Sequence, residues 1–240
     1  MKITAMTDIG RVYEDNQDYY VAGRLSDDTY WIVLCDGMGG MKSGAKASRM
    51  AGDYLQTQTE KSLVDLIEPD AVRDFMLDTV QKANQLIFEA GGGKDAVMGT
   101  TVVFAVIRNN GVQLVHAGDS RAYHITKKGI RQITRDHSMV QELLDSGRIT
   151  PEQAQRHPNR NIITSALGID RKIKIDYNEC RLARGELLLI CSDGLSNMLT
   201  DEELLALARG ENFYHTASDM VGRAVEAGGF DNITAVVLGA

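Results

Sequence analysis

Three aspartates stand next to short apolar runs, and they constrain the fold more than any other feature of the chain. Asp36 follows TYWIVLC, Asp193 follows LLLICS, and Asp231 lies just before the run ITAVVL. Apolar runs of this length, bounded by turn signals, predict buried strands. Each carboxylate is therefore expected at the end of a core strand, and neighbouring strands would bring the three carboxylates together.

Carboxylates that converge in this way need a neutralising partner. Two of them about 4 Å apart repel by roughly 4 kcal/mol at an effective dielectric constant near 20. Protons can relieve the repulsion, but Mg²⁺ or Mn²⁺ does so more effectively at neutral pH, and this indicates a binuclear metal site. For any single aspartate a plain Asp-Gly turn remains the alternative. That alternative is strongest for Asp119, which is expected in a hairpin bend.

The remaining pattern predicts helices and further strands. Apolar residues recur at helical spacing over 44–59 and 70–90, which predicts two amphipathic helices in succession. The apolar stripe of the second helix consists of Val72, Phe75, Met76, Val80, Ala83, Leu86 and Ile87. Short strands are predicted over 100–107, 112–117 and 121–125, joined by tight turns as an antiparallel meander.

The order of helices and strands indicates the fold class. Two helical stretches, 201–209 and 215–227, follow the strand that ends before Asp193, and such pairs of helices predict an α+β fold of mainly antiparallel sheets. A polar segment of about 138–164, with two short predicted helices, is interpreted as a flap. No Pro-rich or Ser-rich linker divides the 240 residues, so one domain over 1–240 is expected.

The composition argues against two classes of partner. The formal net charge of −7 gives no electrostatic reason to expect nucleic acid or an anionic membrane, since both attract clustered Lys and Arg. Residues 1–11 lack the apolar core of a signal peptide, and the longest apolar runs are far shorter than a membrane span. A cytoplasmic protein is therefore expected, and we also expect it to be a monomer.

Seven motifs occur in an order that characterises a known family. They are TDIGRVYEDNQD (7–18), CDGMGG (35–40), GTT (99–101), GDSR (118–121), DHS (136–138), SDG (192–194) and GFDNIT (229–234). In this order, over nearly the whole chain, they resemble bacterial type 2C metal-dependent serine/threonine protein phosphatases. The resemblance implies a four-layer α-β-β-α sandwich, in which helix pairs flank two antiparallel sheets and metals bind in a cleft at one end.

The resemblance also implies a ligand set for two to three Mn²⁺ or Mg²⁺ ions. By position in the motifs, Asp36 would bridge two metals, and the backbone carbonyl of Gly37 would bind one of them. Asp193 and Asp231 would complete the shell of the other metal. Asp119, together with Asp193, matches a third metal site found in bacterial members.

Two further positions match catalytic residues of the family. Asp18 corresponds to a carboxylate that orients metal-bound water, and Asn232 stands beside the ligand Asp231 in the family's DN pair. The site would then activate a water molecule for in-line attack on the phosphorus of phosphoserine or phosphothreonine. Phosphorylated proteins would be the substrates, and the enzyme would oppose a cognate bacterial Ser/Thr protein kinase.

The sequence departs from the family pattern near the expected phosphate site. The family usually has an Arg where this chain has Tyr13. Arg11 lies two residues earlier, and on an extended strand it would leave the same face as Tyr13, so both are candidate phosphate contacts. Met41 replaces a His that many members carry. These departures keep two alternatives open, a catalytically weak regulatory module that binds phosphoproteins and a phosphatase of small phosphate esters.

Overall fold

The chain folds into two antiparallel sheets that pack face to face. The computed structural model describes residues 1–40, 42–66, 68–92 and 98–240. The strands of this described part are β1 (Lys2–Asp8), β2 (Asp18–Arg24), β3 (Thr29–Met38), β4 (Gly99–Thr100), β5 (Val102–Arg108), β6 (Gly111–Ala117), β7 (Arg121–Thr126), β8 (Gly129–Gln132), β9 (Asp176–Arg181), β10 (Leu187–Cys191) and β11 (Ile233–Gly239). The first sheet has the order β1-β11-β10-β7-β8 and the second β2-β3-β5-β6-β9, with β4 paired to β3.

Strand β3 shows why a central strand of this fold is apolar on both faces. Its residues Ile32 and Leu34 pack between the two sheets. Its residues Trp31, Val33 and Cys35 point the other way and pack under helices. Side chains alternate between the faces of a strand, so a continuous apolar run is what a strand buried on both sides requires.

Helix pairs cover the outer faces of both sheets. Helices α1 (Ser43–Ser62) and α2 (Pro69–Ala90) pack on the second sheet. The helices of the described residues that follow α2 are α3 (Met139–Asp145), α4 (Pro151–Gln155), α5 (Asp193–Ser196), α6 (Asp201–Ala208) and α7 (Thr216–Glu226). Because α6 and α7 pack on the first sheet, the predicted α+β sandwich of four layers is confirmed. None of the described helices is long and apolar enough to cross a bilayer.

Helix α2 buries most of its predicted apolar stripe. Val72, Met76, Val80 and their neighbours on that face lie in the core. Leu86 is an exception, since 43% of its surface is exposed, and the prediction of its burial was wrong. It lies about 100° around the helix from the buried Ile87, beyond the edge of the packed face.

The predicted meander is correct for its first turn and wrong for its second. Strands β5 and β6 form a hairpin, and both turn residues, Asn109 and Asn110, have positive φ angles (48° and 65°), as a tight hairpin turn requires. Strands β6 and β7 belong to different sheets. Residues 118–120 therefore cross from one sheet to the other, and Asp119 does not lie in a hairpin bend. Gly118, with φ 121°, provides the sharp change of direction.

The two ends of the flap segment (138–164) lie next to each other. Both of its predicted short helices are present as α3 and α4. At its base the backbone N–H of Met139 donates to the oxygen of Ile162 (2.9 Å), and the N–H of Thr164 donates to the oxygen of His137 (2.8 Å). These two hydrogen bonds close the base of the segment.

Candidate active site

Five aspartates lie where strands of both sheets end at the same end of the sandwich. Asp18 and Asp36 are directly opposite each other in the β2–β3 pair. In the other sheet Arg121 pairs with Cys191, so Asp119 and Asp193, each two residues beyond that pair, leave the sheet at the same level. We call Asp18, Asp36, Asp119, Asp193 and Asp231 the aspartate cluster. The structure thus brings together all the carboxylates that the sequence predicted.

Strand β3 is held at Asp36 by two threonines. The backbone N–H of Asp36 donates to Thr101 Oγ1 (3.0 Å), and its carbonyl oxygen accepts from Thr101 N–H (2.8 Å) and Thr100 Oγ1 (2.9 Å). Gly37 follows in close contact with the start of α1, where a Cβ atom would lie 2.3 Å from the oxygen of Gly44. A glycine is therefore required at this position, which fixes the backbone of the predicted carbonyl ligand.

Asp18 connects the two sheets. Its Oδ2 accepts hydrogen bonds from Ser192 Oγ (2.7 Å) and Thr234 Oγ1 (2.6 Å), both of which belong to the opposite sheet. Its Oδ1 is buried and has no hydrogen-bond partner among the described residues. A buried carboxylate oxygen without a donor is costly, so this atom requires a proton, a water or a cation nearby.

Asn232 organises the connection between β1 and β2. Its Oδ1 accepts from the N–H of Gln17 (2.8 Å), and its Nδ2 donates to the carbonyl oxygens of Ile9 (2.8 Å) and Asp15 (3.3 Å). Its own N–H donates to Asp231 Oδ1 (2.8 Å). Both polar groups of the side chain are thus occupied by backbone, so the contacts of Asn232 position the loop and the carboxylate of Asp231.

The aspartate cluster carries more negative charge than the chain neutralises. Burial is the main cause that raises the pKa of Asp18 to about 7 and that of Asp193 to about 6, and the charge of Asp231 raises both further. Burial, followed by the charges of Asp18 and Asp193, raises the pKa of Asp36 well above its usual range. The pKa of Asp119 is raised by burial and then by Asp193.

Arg121 offsets this charge only partly. Its guanidinium donates to both carboxylate oxygens of Asp136, with Nη2 2.7 Å from Oδ2 and Nε 3.0 Å from Oδ1. The arginine lowers the pKa of Asp119 and Asp193, yet both stay raised. Dense buried carboxylates and the unpartnered Oδ1 of Asp18 form an oxygen-rich donor set, which fits Mg²⁺ or Mn²⁺.

The loop 9–17 holds the two candidate phosphate contacts. The prediction that Arg11 and Tyr13 share a face of an extended strand was wrong, because the chain turns here and Gly10 has φ 76°. The backbone N–H of Arg11 donates to the oxygen of Gly229 (2.8 Å). Tyr13 is about half exposed, and the charge of Asp231, then burial and the charges of further cluster members raise its pKa. Tyr13 therefore lies within the field of the aspartate cluster.

Sequence reasoning missed the hydroxyl groups that hold the carboxylates. Thr101, Ser192 and Thr234 all donate or accept within the site, and each belongs to a motif that was recognised for its aspartate or glycine. Only Ser192 lies directly beside an aspartate in the sequence, so the sequence offered a signal for that hydroxyl and none for Thr101 or Thr234. Met41, which replaces a His in the family pattern, lies outside the described residues.

An antiparallel sandwich with a carboxylate cluster at its strand ends is the arrangement expected for a metal-dependent phosphatase, and the comparisons with known proteins agree with that class. The chain belongs to the protein phosphatase 2C family, whose sequence profile matches residues 11–225. The prediction of a protein phosphatase is thus confirmed. A relative named serine/threonine phosphatase stp, from Listeria monocytogenes, is 33% identical over 235 residues, which cover 97% of this chain and 93% of the relative.

Solved structures show the same architecture. The serine/threonine phosphatase of S. agalactiae superposes with a TM-score of 0.93 at 33% identity, and the match covers 100% of this chain and 99% of that one. The catalytic domain of the phosphatase PstP, solved in complex with two manganese ions, has a TM-score of 0.85 at 31% identity, with 98% and 96% covered. The manganese ions of that neighbour, together with membership of the family, support dependence on divalent metal.

Proposed function

We propose that this enzyme hydrolyses phosphoserine and phosphothreonine in proteins with two to three Mn²⁺ or Mg²⁺ ions. The observation that carries the proposal is the aspartate cluster, whose buried and half-buried carboxylates outnumber the cations that the described residues place beside them. The names of the related phosphatases support the choice of phosphoserine and phosphothreonine.

Each of four aspartates of the cluster has a proposed place among the metal ligands. Asp36 would contribute to the binding of two ions, the backbone carbonyl of Gly37 would contribute to one of them, and Asp193 and Asp231 would contribute to the other. Asp119 would bind a further ion together with Asp193. When bound, such cations lower the pKa of a shared water and neutralise charge on the phosphoryl oxygens.

Asp18 has the geometry to handle the proton of the attacking water. Its Oδ2 is fixed by two hydroxyls, while its Oδ1 is free to accept a hydrogen bond. Burial raises the pKa of this carboxyl to about 7 in the metal-free protein, and cations bound beside it would lower that pKa and keep the carboxylate a hydrogen-bond acceptor for water. Asn232 supports this chemistry indirectly, because it fixes the loop that leads into Asp18.

A groove beside the cluster gives a substrate access to it. The groove has a volume of about 510 Å³ and runs between the flap segment and the chain around α5. Asp119 and Asp193 lie in its wall, together with apolar side chains such as Leu144 and Phe230. A peptide segment in this groove would present a phosphorylated side chain to the metals.

The biological setting completes the proposal. The enzyme would act in the cytoplasm as a monomer and would reverse the action of a bacterial Ser/Thr protein kinase. The single domain over 1–240 and the role of the flap segment in substrate choice belong to the same proposal. The net charge of −7 supports the expectation that neither nucleic acid nor an anionic membrane is a main partner.

The decisive experiment measures phosphate release from a phosphothreonine peptide with Mn²⁺, with Mg²⁺ and with EDTA. Wild type is expected to be active only with metal, and Asp193→Ala to be inactive. Asp219→Ala, an exposed acid on α7, is the matched control and should behave like wild type. A metal-independent wild-type activity would contradict the proposal.

Tyr13 at the position of the family's Arg favours one alternative, a weak regulatory module. A wild-type protein that binds Mn²⁺ but releases no phosphate from any peptide would establish that alternative. Turnover of p-nitrophenyl phosphate that exceeds turnover of the phosphopeptide at equal concentration would instead indicate an esterase of small phosphates.

A further inference from the structure

A second buried polar group lies next to the active site and takes no part in the proposed chemistry. We call His116 on β6, His137 at the base of the flap segment and Asp176 at the start of β9 the histidine network. Both histidines are almost fully buried, and their rings stack with centroids 4.8 Å apart at an angle of 20°. One nitrogen from each ring and a carboxylate oxygen of Asp176 lie within 4.8 Å of one another.

The hydrogen bonds of His137 define the tautomer of its ring. The backbone N–H of Gly118 donates to Nδ1 of His137 (3.3 Å), so Nδ1 must present its lone pair. The proton of the neutral ring is then on Nε2, which donates to Asp176 Oδ2 (3.0 Å). Asp176, which also pairs with Lys174 (2.9 Å), can only accept, and it therefore selects this tautomer.

This tautomer argues against a metal ion in the histidine network. A cation bound at Nε2 of a neutral His137 would require the proton on Nδ1, opposite the N–H of Gly118. Two donors would then face each other, and the backbone N–H of Gly118 would lose its acceptor. The network is therefore a hydrogen-bonded support rather than a fourth metal position.

The support acts on the crossing between the sheets and on the flap segment at once. The backbone N–H of His137 donates to the oxygen of Gly118 (2.9 Å), so His137 holds Gly118 at both its N–H and its carbonyl. The next residue is Asp119. On its other side, the carbonyl of His137 accepts from Thr164 at the end of the flap segment (2.8 Å).

We propose that His137 is a positioning residue that holds the Gly118–Asp119 turn in place for metal binding and joins this turn to the base of the flap segment. Asp176 acts through His137 by fixing its tautomer. The inference rests on the proposed function in one respect, namely that Asp119 binds an ion.

The two amide replacements of His137 separate positioning from general packing. The side-chain oxygen of Asn reaches the place of Nδ1 and can still accept from Gly118, whereas the amide of Gln reaches the place of Nε2 and can only serve Asp176. Titration with Mn²⁺, followed by electron paramagnetic resonance, gives the affinity of each ion, and Asp119→Ala identifies the ion that depends on Asp119. That ion should bind about tenfold or more weakly in His137→Gln and keep most of its affinity in His137→Asn.

The control is His124→Asn on β7, which breaks a similar histidine–carboxylate pair with Glu186, because the amide of Asn does not reach the place of Nε2. It should leave all Mn²⁺ affinities unchanged. Equal affinities of the Asp119-dependent ion in His137→Gln and His137→Asn would overturn the proposal, as would a wild-type protein without such an ion. A Co²⁺ absorption band lost in His116→Phe would also overturn it, in favour of a metal site. Failure of the proposed function is seen separately, as wild-type protein that releases no phosphate.

Discussion

The aspartate cluster and the histidine network are neighbouring polar groups that differ in how their charges are compensated. The negative charge of the network has partners within the chain, whereas that of the cluster is only partly compensated. In the network, the carboxylate of Asp176 faces an N–H of His137 and the ammonium group of Lys174, and these contacts lower its pKa although partial burial raises it. In the cluster, burial raises the pKa of every aspartate, and neighbouring carboxylates raise it further for Asp18, Asp36, Asp119 and Asp193. A balanced group holds structure in place, whereas an unbalanced one indicates that a cation from outside the chain completes it.

The largest effect should follow removal of one carboxylate from the cluster. Asp36→Asn should lower turnover of a phosphothreonine peptide on the order of a thousandfold at saturating Mn²⁺, because the predicted bridging ligand is lost. Circular dichroism should show an unchanged fold. An Asp36→Asn protein with more than a tenth of wild-type turnover would remove Asp36 from the proposed site.

The pH dependence of stability should reveal the unbalanced charge directly. As the pH rises from the ordinary aspartate value of 3.8 to about 7, the unfolded chain loses protons that the folded cluster still retains, because the folded-state pKa values are raised. The stability of metal-free protein contributed by this difference should therefore fall over that window. Thermal unfolding in EDTA between pH 4.5 and 7.5 measures this, and excess Mn²⁺ should cancel the loss. A flat profile in EDTA would contradict the charge imbalance.

Matched aspartate-to-asparagine changes should have opposite signs in the two kinds of environment. In EDTA, Asp36→Asn should stabilise the protein by about 1–2 kcal/mol, since it removes repulsion within the cluster. Asp176→Asn should destabilise it by about 1 kcal/mol, since it removes the charge that accepts from His137 and pairs with Lys174. Urea unfolding of both variants tests the comparison, and destabilisation by both would refute it.

The smallest effect is expected at the edge of the cluster. Tyr13→Arg would place a cation beside Asp231 and the entering phosphate, and it should lower the KM for a phosphopeptide by a few-fold, worth about 1 kcal/mol, with little change in kcat. Steady-state kinetics of Tyr13→Arg and Tyr13→Phe separate the charge from the loss of the hydroxyl. A KM that is equal in both variants would show that position 13 does not contact the phosphate.

The sequence predicted the central strands and the site residues at their ends, but it did not predict the edge strands. Strands β3 and β10 were predictable because their residues are apolar on both faces. The aspartate that follows each run was noticeable as a site residue because a charged side chain contributes nothing to an apolar core. Strands β2 and β9 were missed, since DYYVAGR and DYNECR are partly exposed and polar, with weak alternation. Edge strands of this kind become strands through pairing with neighbours, which a local pattern does not contain.

Two site errors have the same physical origin. The residues Gly118-Asp119 predict a turn, but a turn can lead either back along the same sheet as a hairpin or across to the other sheet. The residues of the turn do not determine which strand the next segment pairs with. The segment around Tyr13 was read as extended, yet its path is set by Asn232, more than 200 residues away in the sequence. Long-range hydrogen bonds decided both conformations.

The position of strand β11 means that the first sheet can be completed only late in the synthesis of the chain. It is the last of the described strands in the chain, yet it is inserted between β1 and β10, and Asp231 and Asn232 directly precede it. Contacts between such distant segments form slowly. A ribosome-bound chain in which β11 is still inside the exit tunnel would therefore lack the strand that fixes Asp231 and Asn232 beside the other four aspartates of the cluster.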